Sequence, residues 1–451
     1  FGATMHSKSL SATLALTSLT VGLGLTSTAR ADFIEDSKLS LGMRNFFFNA
    51  DNHSGGADQK EWAQGFKLDY ISGFTEGTVG FGVDLEGMLG LHLDGGKGMH
   101  PAINTFTPSK SDGSAESTWA SAGATVKARF SKSEIRYGNT LTPNLPILVA
   151  NDGRLQLQTF EGGMITSKEI DNLTLTGGQI ESVKGRASTN STGLSVSGAT
   201  HGSNKFRFAG GDWKVNKDLT LQYYYANLEN FYSQNFLGLV HVLPITNDSS
   251  FKTDLRYFNS TSDGRNGEVG YAFNNNGGYA KNTGKVDNNT WSSMFTYSLG
   301  NQSLMLGRTQ VSDNGGFVWN NDASVVNKYG RNEGEGGYSF YLFNDATVGS
   351  FARAGENTNF GQYSYNFASL GVSGLKASIS YLRGDGIKAA DGHGPDQHES
   401  EIDTRVDYVV QTGPLKGFGT TLRHGTYHAG NTGTADLDQT RLFFNYTYNF
   451  F

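Results

Sequence analysis

Apolar and polar residues alternate along this chain with a period of two. In its closing stretch, "LDQTRLFFNYTYNFF", Leu442, Phe444, Tyr446, Tyr448 and Phe450 fall on one side of an extended backbone. Arg441, Phe443, Asn445, Thr447 and Asn449 fall on the other. That period predicts a β-strand with one apolar face and one mostly polar face. The same pattern recurs in "TVGFGVDLEGMLGL", where Val79, Phe81, Val83, Leu85, Leu89 and Leu91 oppose Gly80, Gly82, Asp84 and Glu86. In "ATVKARF", Ala124, Val126, Ala128 and Phe130 oppose Thr125, Lys127 and Arg129. "FKTDLRY" sets Phe251, Leu255 and Tyr257 against Lys252, Asp254 and Arg256, and "EIDTRVDY" sets Ile402, Val406 and Tyr408 against Asp403, Arg405 and Asp407.

A soluble sandwich would bury the apolar faces and turn the polar faces to water. Three features point the other way. Aromatics cap the apolar faces near strand ends: Tyr257, Tyr408, Tyr448 and Phe450. The strands are numerous and about ten residues long, the length that crosses a membrane. The connections also differ in length. "SKSE" (131–134), "NKDL" (216–219), "GNQS" (300–303) and "GPLKG" (413–417) are short, whereas 92–117, 259–290, 312–337, 384–399 and 428–438 are long. Short turns at one end and long loops at the other predict an all-β transmembrane barrel of about 16–18 antiparallel strands, apolar faces toward lipid. The last strand must then close against the first, because an open sheet edge does not survive in hydrocarbon. Phe450 or Phe451 would sit at the interface, although Phe451 is out of phase with the apolar set.

Composition narrows this further. Charged residues are 17% and aromatics 12%, with Gly 60, Pro 7 and no Cys. The net charge of −6 lacks the basic footprint of a nucleic-acid binder. Lys8, the apolar run "LSATLALTSLTVGLGL" and Ala29-Arg30-Ala31 make a secretory signal peptide with an A-x-A cleavage site. We therefore read 1–31 as a signal peptide, with 1–4 before Met5 as leading non-native residues, and 32–451 as one outer-membrane barrel. Loss of Lys8 and Arg30 takes the net charge from −6 to −8.

Candidate chemistry lies on the polar phase. Arg44, Lys127, Arg129, Arg136, Arg405, Arg423 and Arg441 all fall there. An arginine at the bilayer midplane on the lipid side costs about 2–4 kcal/mol, so this phase must face the lumen. Clustered guanidinium groups in a narrow passage suit a carboxylate, which they hold through planar, charge-assisted contacts. The competing reading pairs them with Asp84, Glu86, Asp254, Asp403 or Asp407 as wall braces. Arg423 and Arg441 have no acid two residues away on their own face. No catalytic, cofactor or metal motif emerges. Around Gly96-Lys97 a phosphate loop lacks its first Gly and its Ser or Thr, finding Leu91 and Gly98, and "GVSGL" (371–375) is not a nucleophile elbow. His393 and His398 with Asp391, Asp396 and Glu399 read as a solvated Gly-rich loop.

The chain also resembles the OprD family of outer-membrane carboxylate channels. The resemblance is carried by "DFIEDSKLSLGMRNFFFNAD", "KARFSKSEIRYGNTLTPNLPIL" (127–148), "GRLQLQTFEGG" (153–163), "ASLGVSGLKASISYLRGDGI" (368–387) and "TRLFFNYTY", in family order over 32–451. It implies an 18-stranded barrel, a monomer or a loose trimer, seated among outer-membrane lipid and lipopolysaccharide of a Gram-negative bacterium. It also implies a pore narrowed by infolded loops, lined by a basic ladder, and used by small carboxylates. Arg423, Arg441 and Arg186 match ladder positions. By the same resemblance 138–163, with Pro143, Pro146, Asn151 and Arg154, folds inward as the constriction loop; the alternative is an ordinary outer loop. Ser380 and Gln362 stand where relatives often carry basic residues. The rival functions are a chitoporin-like oligosaccharide porin, with Tyr224 and Phe443 on an aromatic slide, and a secreted soluble all-β polysaccharide-binding protein.

Overall fold

Eighteen long strands run antiparallel, each paired with the next in sequence. They are β1 (Lys38–Asn52), β2 (Gln59–Ile71), β3 (Val79–Asp94), β4 (Thr118–Phe130), β5 (Ser133–Leu141), β6 (Thr159–Ser167), β7 (Leu173–Lys184), β8 (Phe206–Lys214) and β9 (Leu219–Leu228). The second half comprises β10 (Tyr232–Pro244), β11 (Ser249–Ser262), β12 (Asp287–Leu299), β13 (Gln302–Val311), β14 (Asn357–Asn366), β15 (Leu375–Ile387), β16 (Gln397–Val409), β17 (Gly419–His428) and β18 (Leu437–Asn449). This is a computed structural model, and it describes residues 33–95, 98–101, 106–322, 325–326, 332–333 and 339–451. The signal peptide expected at 1–31 lies outside the described residues.

The sheet closes. β1 pairs with β18 from Ser40↔Asn449 to Asn52↔Leu437. The pairing reaches the end of the chain, where Phe450 N donates to the Leu39 carbonyl at 2.8 Å and Leu39 N to the Phe451 carbonyl at 3.2 Å. Inside the seam, Phe46 and Phe443 sit directly opposite with ring centroids 4.2 Å apart. The closed ladder explains why the terminal strand carries a full apolar face: pairing with β1 leaves it no open edge toward lipid.

The two phases separate as the alternation requires. On β3 and β4, Phe81, Leu85, Val126 and Phe130 point outward, Phe81 being 59% exposed, while Asp84 and Lys127 are buried in the lumen. At one end the connections are short turns, including 131–132, 215–218, 245–248 and 300–301. The other end carries the long ones, with two exceptions. The connections 53–58 and 229–231 are also tight, and Asn230 supplies the left-handed backbone (φ 72°) that the second needs.

The lumen is partly filled. Ile147 and Leu148 of the β5–β6 connection pack against inward side chains of the β7–β11 wall, among them Ile180, Phe208, Tyr224, Phe236 and Phe258. The inward turn starts and ends at glycines. At Gly138 and Gly162 the neighbouring backbone lies where a Cβ would stand, and the ladder shifts register just beyond each. A second segment, the described part of 312–356, enters the same core through Phe317, Val318, Trp319, Phe340 and Leu342. The described residues of the long connection 312–337 thus turn into the barrel. Its apolar residues follow no period, so they carry no strand signal. Burying them inside removes an apolar patch that an outer loop would expose.

Candidate functional site

The two inward segments meet a basic stretch of wall. The β5–β6 connection is held first by itself. Asn144–Leu145 pairs with Leu148–Val149, a turn that includes Pro146, and Ala150 N donates to the Pro143 carbonyl at 2.8 Å. Asn151 N donates to Gln158 Oε1 at 3.0 Å, and Gln158 N to the Asn151 carbonyl at 3.0 Å. The Asn151 side-chain oxygen then accepts from Gly153 N (2.8 Å) and from Arg186 Nη1 (2.7 Å). Arg44, on the lumen phase of β1, grips the next residue: its Nη1 and Nη2 reach Asp152 Oδ1 and Oδ2 at 2.7 and 3.2 Å, while its Nε donates to Asn445 at 2.8 Å. The Arg154 guanidinium lies 4.8 Å over the Phe48 ring. Arg44 is therefore a tether for the loop.

On the strands beside β1, register does what sequence spacing could not reveal. Arg405 of β16 stands directly opposite Arg423 of β17, and Arg423 directly opposite Arg441 of β18. Three guanidinium side chains thus leave adjacent strands side by side, an arrangement that costs stability unless something else uses it. Arg405 is neutralised by a bidentate contact to Asp407 (2.6 and 2.9 Å). The nearby acids of β16 are engaged elsewhere. Glu401 accepts from Val348 N and Gly349 N at 2.8 and 2.7 Å, and Asp403 accepts from Thr347 N at 3.1 Å. They fasten the second inward segment through its backbone. Arg441 donates to Gln439 (2.7 Å) and to the Thr347 carbonyl, and Arg423 to Thr347 Oγ1 at 3.3 Å. Among the described residues neither Arg423 nor Arg441 forms an ion pair with a carboxylate.

These groups line one chamber of about 380 Å³, bounded by Asn151, Arg154, Arg186, Thr347, Arg423 and Arg441. Four arginines and two acids, Asp152 and Asp345, border it. Asp152 is already committed to Arg44. Burial pushes the Asp345 carboxyl up to about 6, against the pull of Arg441 and Arg186. The chamber is formally positive, and planar guanidinium groups border it.

The remaining ladder candidates lie apart from it. Lys127 is buried on Asp84 (2.7 Å) and the Ser72 carbonyl (2.8 Å), and Arg136 bridges Asp84 (3.1 Å) and Glu134 (2.5 Å). Arg129 covers the Phe74 ring at 4.3 Å. These three brace the wall between β3 and β5. Ser380 and Gln362 are cross-strand partners joined at 2.9 Å. Tyr224 is buried with its hydroxyl on Asp212 (3.0 Å), and Phe443 is buried in the seam. Among the described residues no group of three His, Cys, Asp or Glu is placed to hold a metal ion. Sequence reasoning missed Asp345, Thr347 and the anchoring role of Glu401 and Asp403. The available signal was the acid row Glu399, Glu401, Asp403 on the lumen phase of β16, too many acids for the one arginine, Arg405, on that face.

The description "outer membrane porin, OprD family" matches residues 31–450. The chain belongs to the OprD family of outer membrane porins. It is 33% identical to Porin D of Pseudomonas aeruginosa over 433 residues, covering 92% of this chain and 91% of the relative. The crystal structure of P. aeruginosa OccK8 (OprE) superposes with a TM-score of 0.81 at 43% identity, covering 93% of this chain and 100% of that one. The structure of P. aeruginosa OpdK with vanillate gives 0.79 at 30% identity, covering 93% and 100%. OprD porins are channels for small solutes in the outer membrane of Gram-negative bacteria, so the short turns of this barrel face the periplasm and the long connections the exterior.

Proposed function

We propose that this OprD-family porin passes small organic carboxylates down their concentration gradient, and that the Arg423–Arg441 chamber is where it selects them. The observation that carries this reading is the cross-strand row Arg405–Arg423–Arg441, in which two of three guanidinium groups lack a carboxylate partner while acids stand close by. A like-charge row costs stability in the empty channel, and a passing anion relieves it. The planar fork of each group fits a carboxylate in two contacts, which a point charge cannot offer. Asn151–Arg154 and Thr347 border the same chamber as Arg423 and Arg441, which supports this reading. OpdK was solved with vanillate, a molecule that bears a carboxylate, which supports the same class of cargo here.

The test is single-channel recording with a panel of carboxylates, neutral sugars and basic amino acids. The expected outcome is a reversal potential on the anion side and current interruptions by carboxylates alone. A cation-selective channel interrupted equally by sugars would refute the proposal.

A further inference from the structure

The outer face of the barrel carries a basic row of its own. On β13 the lipid-facing phase runs Leu304, Leu306, Arg308, Gln310, and Leu306 is 58% exposed. On β15 it runs Ile379, Tyr381, Arg383, Asp385, with Ile379 and Tyr381 exposed. Register places Arg308 directly opposite Asn359 of β14, and Asn359 directly opposite Arg383. Neighbouring strands lie about 4.8 Å apart, so the two arginine backbones flank Asn359 at about 10 Å from each other. β13 leaves the short periplasmic turn at 300–301, so this row stands toward the extracellular end, beyond the apolar band of Leu304, Leu306, Ile379 and Tyr381.

Arg308 is the charge without a counterpart. Its side chain is exposed, its Nη2 donates to Asn357 Oδ1 at 3.5 Å, and the Gln310 amide lies alongside. Both neighbours are uncharged, and among the described residues Arg308 forms no ion pair with a carboxylate. Arg207 of β8, on the same phase at the same end, differs: it has Glu229 at 3.8 Å and Gln179 at 3.0 Å. Arg383 is paired with Asp385 at 2.9 Å, so the row is left with the net positive charge of Arg308. A guanidinium on the lipid face is tolerated where it reaches an anion or water at the interface. The anions at the exterior interface of an outer membrane are the phosphates of its outer-leaflet glycolipid.

We infer that Arg308, Asn359 and Arg383 form an exterior binding site for a phosphorylated glycolipid of the outer leaflet, with a phosphate over Asn359 and acyl chains against the apolar band beneath. Three features fit that occupant together. A guanidinium fork meets a phosphate in two charge-assisted contacts. The Asn359 amide adds a neutral donor between the two arginines. The exposed Leu304, Leu306 and Ile379 follow on the membrane side of the row, where the chains of the same molecule must lie. The site lies on the outer wall, so it is independent of what passes through the lumen.

The probes are bisphosphorylated lipid A, the same lipid with its phosphates removed, and inorganic phosphate as competitor. Each is added to the detergent-solubilised barrel in EDTA, which excludes bridging by divalent cations, and bound lipid is read by native mass spectrometry. The unaltered protein should bind the phosphorylated lipid about tenfold more tightly than the dephosphorylated one, the gain of one charge-assisted pair. Inorganic phosphate, which has no chains, should not displace it. Arg308→Gln should bring the ratio of affinities to within about twofold of unity and leave the reversal potential of the channel unchanged. Arg207→Gln should leave the ratio as it is. Should Arg308→Gln yield no heat-modifiable barrel, Arg383→Gln must lower the same ratio. An unchanged ratio in folded Arg308→Gln, or in Arg383→Gln where that one stands in for it, overturns the inference. So does an equal fall in Arg207→Gln, which would assign the effect to general surface charge. Equal binding of the two lipids by the unaltered protein also overturns it, and displacement by inorganic phosphate would show a free-anion site instead of a lipid site.

Discussion

Replacing Arg423 by glutamine is the cleanest perturbation of the arginine row. The side chain is half-buried, and its recorded contact is one long hydrogen bond of 3.3 Å to Thr347 Oγ1, so little of the scaffold depends on it. Arg441, by contrast, holds both Gln439 and the Thr347 carbonyl, and removing it would loosen the second inward segment. A unit charge about 4 Å away is worth about 1 kcal/mol at the dielectric of water and about 4 kcal/mol at an effective value near 20. The chamber is wet and narrow, so a loss of about 1–2 kcal/mol for a bound anion is reasonable, which lowers carboxylate residence roughly 5- to 30-fold. The same change removes one guanidinium from between two others, Arg405 and Arg441. Each opposed like-charge pair costs up to about 1 kcal/mol, so the variant barrel should be at least as stable as the parent. Reversal potentials across a salt gradient and carboxylate interruption times read the first effect. The temperature at which the unheated band is lost on gels reads the second. High salt should shrink the difference in selectivity, because screening falls to about 3 Å at 1 M. If Arg423→Gln retains the parent's anion preference and interruption times in low salt, the guanidinium is a wall element and the reasoning fails.

Two further outcomes test other parts of the architecture. Asp345, pushed up to about 6 by burial, loses its negative charge as the pH falls through that value, leaving the four arginines of the chamber less compensated; anion selectivity should therefore rise between about pH 7.5 and pH 5, and Asp345→Asn should hold the high value at both, whereas a pH-dependent Asp345→Asn channel would assign the effect elsewhere. Removing 442–451 strips β1 of its partner from Ser40 to Phe47 and leaves unpaired backbone groups in hydrocarbon, each costing several kcal/mol; no heat-modifiable barrel should accumulate, and normal levels of one would show that closure does not depend on this strand.

The alternation of side chains by itself determined the strands, the lipid-facing phase and the need for closure at Phe450, because a membrane punishes a misplaced polar residue or open edge at every position independently. It also placed Arg44, Arg405, Arg423 and Arg441 on the lumen side. It could not say which of them keep their charge. Lys127, Arg136, Arg405 and Arg44 all carry acid partners; Glu134 and Asp407 stand two residues along on the same strand, but Asp84 and Asp152 come from another strand and from the inward loop. Arg423 and Arg441 became neighbours through strand register, and Asp345 and Thr347 joined them through a segment whose apolar residues carry no period. Local pattern sets which face a side chain takes, since that depends on its own strand; pairing, burial and charge balance depend on what the closed barrel and its infolded segments bring alongside, and only the tertiary structure decides that.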